Sequence, residues 1–232
     1  MGLFWGTLRA LRETQVAAQV AYLRTIKRGT FRFQGKTYPY FYRRYNRTLD
    51  NERIVEVPIV WDEVKRHAPA RVLEVGNVLT HYFPIKHEVV DKYEQASGVI
   101  HADVVDYEPG RRYDLIATIS TLEHVGWDEE PRDPEKFLRA VEHLATLLAP
   151  GGTLLVTLPL GYNPEVDRFL ADGRVPFTSV GYLKRDSRDN VWHEASWSEV
   201  AGTAYVHRQP KSLRRWVPNT AQAVVVGRLV AA

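Results

Sequence analysis

Residues 71–82 read RVLEVGNVLTHY. A short apolar run, Val72 and Leu73, meets an acid, Glu74, and then Gly76. A buried strand that ends in a glycine turn is how an open α/β sheet makes a nucleotide-sized crevice. The glycine lets the backbone approach a ligand that a side chain would push away. Working outward, acids recur where further strands would end: Asp91 in VVDKYE and Asp103 in GVIHADVVDY. Two longer apolar runs follow, YDLIATISTLEHVGW at 113–127 and LLAPGGTLLVTLPLG at 147–161.

The spacing predicts strands near 71–75, 87–91, 98–102, 113–119 and 153–158, alternating with helical stretches. The clearest helix is 133–148, DPEKFLRAVEHLATLL, with an Asp cap, Pro in the first turn and Pro150-Gly151-Gly152 beyond its end. Alternation of this kind implies an α/β fold, a doubly wound and mostly parallel sheet. After residue 160 the pattern changes. Val180–Lys184, Val191–Ala195 and Ala223–Val230 read as strands without long helices between them.

Two domains are expected, an N-terminal helix and arm over 1–60 and a catalytic-sized domain over 61–232. Residues 2–28 carry Leu3, Phe4, Leu8, Leu11, Val16, Val20, Leu23 and Ile26 at helical steps. That amphipathic face packs on the domain or on a second copy, making a homodimer, with interfacial membrane binding a minor alternative. Residues 29–50 interleave aromatics with arginines. They read either as a hairpin turning at Gln34-Gly35 or as a stacking platform for a base or sugar. Residues 51–66 read as a helix interrupted before Pro58.

Charge is uneven. Residues 1–60 hold eleven Lys/Arg against four Asp/Glu, and the remainder twenty against twenty-four. A basic arm beside a neutral-to-acidic domain suits an anionic partner or a solvated helix face. The chain has no cysteine, which excludes disulfides, thiolate metal sites and cysteine nucleophiles. There is no run of eighteen apolar residues and no signal-like h-region, so a cytoplasmic protein without a transmembrane segment is expected.

In their order these motifs resemble those of the class I S-adenosylmethionine-dependent methyltransferases. The resemblance implies a Rossmann-like sheet with S-adenosyl-L-methionine held across its strand ends and with Ala223–Val230 as its antiparallel terminal strand. Carried over to this sequence, Glu74, Gly76 and Asn77 form the first motif. Asp91 takes the ribose hydroxyls, and Asp103 with Val104 flanks the adenine. Ser120 and Thr121 floor the methyl donor, and Arg53 pairs with the cofactor's carboxylate. His124 in ISTLEHVGW is the candidate base, with His193 and Glu194 in VWHEASW as acceptor-side alternatives. The first motif departs from the family pattern, with Val78 and Thr80 where glycines are usual.

The lack of cysteine argues against methylation at pyrimidine C5. The segment 119–122 lacks the Asn/Asp-Pro-Pro motif of DNA amino-methylating enzymes, and no metal site is expected. The implied reaction is O-methylation of a sugar or other small polar natural product, as in glycan biosynthesis. The alternatives are an RNA methyltransferase using the basic aromatic arm, with nucleic acid the less favoured partner, and a non-catalytic binding module of the same fold.

Overall fold

The computed structural model describes residues 13–186, 190–206 and 220–232. Residues 13–22 are helical (α1) and end in a π-turn at Leu23–Lys27. Strands β1 (Thr30–Phe33) and β2 (Lys36–Pro39) make an antiparallel hairpin turning at Gln34-Gly35. Then come α2 (Arg53–Val64), β3 (Val72–Val75), β4 (Glu88–Asp91), β5 (Val99–His101) and β6 (Tyr113–Ile119). The second half holds α3 (Lys136–Thr146), β7 (Leu148–Pro159), α4 (Pro164–Ala171), β8 (Ser179–Arg185), β9 (Trp192–Ala195), α5 (Trp197–Val200) and β10 (Ala223–Val230).

Eight of the strands form one sheet in the order β5-β4-β3-β6-β7-β10-β8-β9. β5 through β7 are parallel, and β10 runs antiparallel between β7 and β8. This is the doubly wound, mostly parallel sheet with an antiparallel terminal strand that the sequence predicts. The strand order reverses between β3 and β6, which makes the carboxyl ends of those two strands the topological switch point.

Residue alternation along the strands sends side chains to two separate cores. On β6, Ile116 packs with Phe137, Val141 and Phe169 of α3 and α4. Its neighbours Leu115 and Ala117 pack with Ile54, Val57 and Val60 of α2 and with Phe31 and Phe33 of the hairpin. Val16 and Val20 of α1 belong to this second core. The hairpin aromatics are therefore largely committed: Phe31 and Phe33 are buried, and Phe31 stacks on Tyr38 and Tyr40.

Three expectations need correction. No helix follows β3, β4 or β5, only a 3-10 turn at Leu79–His81. The physical reason is that α2, which precedes β3, already covers that face of the sheet. Next, α2 is not interrupted at Pro58. A helical proline leaves the carbonyl four residues back without its donor. Here the Ile54 carbonyl instead accepts the Phe41 N–H at 3.0 Å, so the helix continues. Finally, α3 begins at Lys136 rather than at residue 133; Asp133 lies three residues ahead of it, its carbonyl accepting the Lys136 N–H at 3.0 Å and its carboxylate pairing with Arg139. Among the described residues no helix is long and apolar enough to cross a membrane.

Candidate active site

A cavity of about 600 Å³ opens at the carboxyl ends of β3, β4, β5 and β6, at the switch point. Gly76, Asn77, Asp91, Asp103, Val104, Ser120, Thr121 and His124 all line it. The walls at β3 and β6 meet closely. Gly76 has φ +83°, and a Cβ there would lie 2.2 Å from Thr121 Oγ1 and 2.9 Å from Thr121 Cβ. Only glycine satisfies both the left-handed backbone and that approach.

Asp91 and Glu74 shape the loop after β3. Asp91 Oδ2 accepts the Asn77 N–H at 3.0 Å, and Oδ1 accepts those of Tyr93 and Glu94, each at 2.8 Å. The carboxylate is thus held at the rim of the cavity in one orientation. Glu74 plays a different part from the one expected. It is fully buried, its Oε1 accepts the N–H groups of Val78 and Leu79 at 2.8 and 2.7 Å, and its Oε2 meets His87 Nε2 at 2.8 Å. It ties down the loop from behind and does not line the cavity.

Asp103 is anchored by cations. Its Oδ2 lies 2.6 Å from Lys136 Nζ and 2.8 Å from Lys92 Nζ, and both lysines also reach Glu129. Burial works to raise the Asp103 pKa, but the hydrogen bonds from Lys136 and Lys92 outweigh it and hold the carboxyl below its usual value. Lys136 lies on α3, so its approach to a residue 33 positions earlier left no signal in sequence spacing.

Arg53 sits behind the β6 end of the cavity rather than in it. Its guanidinium donates to the Ile119 carbonyl at 2.7 Å and pairs with Glu56 at 3.1 Å. Ser120 adopts φ 39°, a strained value for a residue with a side chain. Its hydroxyl donates to Glu56 Oε1 at 2.6 Å, so Ser120 offers the cavity its backbone.

His124 faces the cavity with its Nδ1 2.5 Å from Asp128 Oδ2. The Tyr162 hydroxyl donates to the same oxygen at 2.6 Å, and the two rings meet edge-on at 4.6 Å. Sequence reasoning missed Asp128 and Tyr162. The i,i+4 spacing of His124 and Asp128 was the available signal.

His193 and Glu194 are not brought to this site. β9 is the edge strand, four places from β6 and on the opposite side from β4 and β5. At about 4.8 Å per strand that is roughly 19 Å away. There His193 Nδ1 meets Asp186 at 2.7 Å, and Glu194 accepts the Gln34 N–H of the hairpin at 3.1 Å. A short polar-aromatic strand identifies itself by pattern, but its place in the sheet does not.

No protein-family model matches the chain, and no curated protein matches it. Solved structures similar to it include the N-methyltransferase NodS from Bradyrhizobium japonicum bound to S-adenosyl-L-homocysteine. That likeness has 14% identity over 78% of this chain and 89% of NodS, with a TM-score of 0.47. The CcbJ methyltransferase from Streptomyces caelestis is 17% identical over 75% of this chain and 88% of its own, TM-score 0.38. TehB from Haemophilus influenzae is 11% identical over 75% and 62%, TM-score 0.41. At these identities and scores none of them assigns an activity to this chain.

Proposed function

We propose that this protein is an S-adenosylmethionine-dependent methyltransferase acting on a small polar acceptor, with the oxygen of a sugar or other natural product as the expected methyl acceptor. The observation that carries the reading is the carboxylate of Asp91, held by three backbone N–H groups at the rim of a cavity at the switch point. An oriented carboxylate is suited to accept both hydroxyls of a ribose diol. The cavity is large enough for the cofactor, and the missing Cβ of Gly76 lets Thr121 close the wall between β3 and β6.

In this reading Asp91 takes the ribose, Asp103 and Val104 border the adenine, and the backbone of Gly76, Asn77, Ser120 and Thr121 surrounds the methionine part. S-adenosylmethionine supplies an electrophilic methyl group when bound. The protein's share is alignment and proton removal. The Asp128 carboxylate orients His124 by accepting Nδ1–H, which leaves Nε2, 3.7 Å from Glu123 Oε1, as the nitrogen that would take the acceptor's proton. A base so placed contributes about 10²–10⁴-fold.

The test is calorimetry with S-adenosylmethionine and S-adenosylhomocysteine. The wild-type chain should bind both, and Asp91→Asn should weaken binding by roughly 1–3 kcal/mol, the cost of losing one buried polar partner. Absence of binding to either molecule by the wild-type chain overturns the reading.

A further inference from the structure

A second cavity, of about 290 Å³, lies between the hairpin and α2 and shares no lining residue with the one at the switch point. Two stretches of sequence make it. The segment 36–43, KTYPYFYR, interleaves aromatics with basic side chains along β2 and the chain that follows it. Pro58, Trp61, Asp62 and Lys65 come from one face of α2 and its C-terminal cap, at helical spacing. The walls are flat and apolar. Trp61 stacks on Phe83 with ring centroids 4.0 Å apart and planes within 5°, and Phe41 meets Phe83 at 5.5 Å. Tyr38 and Pro58 also line the space.

The charges around those walls do not balance. Lys36, Arg43 and Lys65 share the lining with a single acid, Asp62. That carboxylate is already divided among cations. Its Oδ2 pairs with Lys36 and, at 2.7 Å, with Arg66, and its Oδ1 lies 4.0 Å from Lys65. Arg43 is half-buried, and among the described residues no carboxylate reaches it. Its NH1 donates to the Tyr42 carbonyl at 3.0 Å, and its guanidinium lies 4.4 Å over the Phe41 ring. Most of its N–H donors therefore have no protein acceptor. Arg24, on the π-turn after α1, adds to the positive charge around Arg43 and does not offset it.

We infer that this cavity binds an anion carried on a flat ring, an aromatic carboxylate or an aryl phosphate, with Arg43 taking the anionic group. Two features choose that class together. A charge partly withdrawn from water is stabilised by an opposite charge, and the guanidinium fork matches a carboxylate or phosphate. Aromatic and proline walls bury a ring and give nothing to a small hydrated anion. Size sets the limit. Ligand cavities begin at about 300 Å³, so the space suits one ring with its acidic group and not a nucleotide. The inference does not rest on the methyltransferase reading.

The experiment is calorimetry on the full chain with benzoate, phenyl phosphate, benzamide and acetate. Benzamide keeps the ring without the charge, and acetate keeps the charge without the ring. At least one aryl anion should bind about tenfold or more tightly than either control, and the tighter of the two tells carboxylate from phosphate. Arg43→Gln should remove the preference over benzamide, and Arg43→Lys should keep part of it. Asp62→Asn, which takes away the one acid of the lining, should tighten binding of the anion. Urea midpoints report that each variant is folded. No measurable binding of either aryl anion, equal affinity for benzamide or for acetate, or a preference that survives in Arg43→Gln overturns the inference. Weaker anion binding by a folded Asp62→Asn overturns it as well.

Discussion

Asp167 shows how a single carboxyl ties the fold to pH. It lies on α4, accepts the Gly161 N–H at 2.8 Å, and among the described residues has no cation beside it to offset burial. Burial raises its pKa to about 6, with the Gly161 hydrogen bond opposing. A carboxyl whose folded pKa is raised favours the folded state most when protonated. Its contribution is fully present below the unfolded pKa, near 3.8, and is lost as pH rises through about 6. Asp167→Asn keeps an acceptor for Gly161 and removes the titration. The variant should be more stable than wild type at pH 7–8, with the difference vanishing near pH 4. Urea unfolding at both pH values measures this, and a pH-independent difference would refute it.

His124 and Asp128 supply the second residue-scale prediction. If Asp128 sets the tautomer, Asp128→Asn should lower turnover by about 10–100-fold while leaving S-adenosylhomocysteine affinity close to wild type. Unchanged turnover would make Asp128 a structural residue only. Tyr162, on the same oxygen, keeps Asp128 in place in either case.

At the scale of elements, the β3 loop shows what conformational freedom contributes to the site. Gly76→Ala should fail for two separable reasons, φ +83° and the clash with Thr121. Backbone strain of this kind costs about 1–3 kcal/mol. The variant should lose cofactor affinity and some thermal stability. The double variant Gly76→Ala/Thr121→Ala should recover only the part due to the Thr121 hydroxyl and methyl, because the Cβ at 2.9 Å and the left-handed backbone remain. Full recovery would mean that the backbone tolerates alanine there.

The strands β3, β4 and β6 were legible because each is a short apolar run ending in a polar or glycine turn, a local property. Asp91 was legible for the same reason. Glu74 was misplaced because an acid beside Gly76 has two uses, and only the fold shows that its oxygens are spent on Val78, Leu79 and His87. The helix-free crossovers were hidden because the element that replaces their helices, α2, precedes the sheet in sequence. His193 and Glu194 failed on sheet order, which no local pattern carries.

At the scale of the whole molecule, the arm completes the second core, which is why the sheet can dispense with crossover helices on that face. The amphipathic stretch had two readings, packing on the domain or on a second copy. Within one chain Val16 and Val20 are already buried, 6% and 5% exposed, against the hairpin and α2 core, whereas Tyr22 and Ile26 are exposed. Residues 1–12, which carry the other apolar positions of that stretch, lie outside the described residues.

The two faces can be separated by mutation. Truncating Val16 and Val20 together to alanine removes four methyl groups from a packed core, at about 0.8 kcal/mol each, or roughly 2–4 kcal/mol with incomplete collapse of the gap. That loss should appear as a lower urea midpoint at every protein concentration, since it belongs to one chain. Tyr22→Ser with Ile26→Ser should leave the midpoint within about 0.5 kcal/mol, as for ordinary surface changes. Sedimentation of both variants completes the test. If the valine variant instead loses stability only on dilution, with a halved mass, those valines face a second copy and the packing seen within one chain is not what holds the arm.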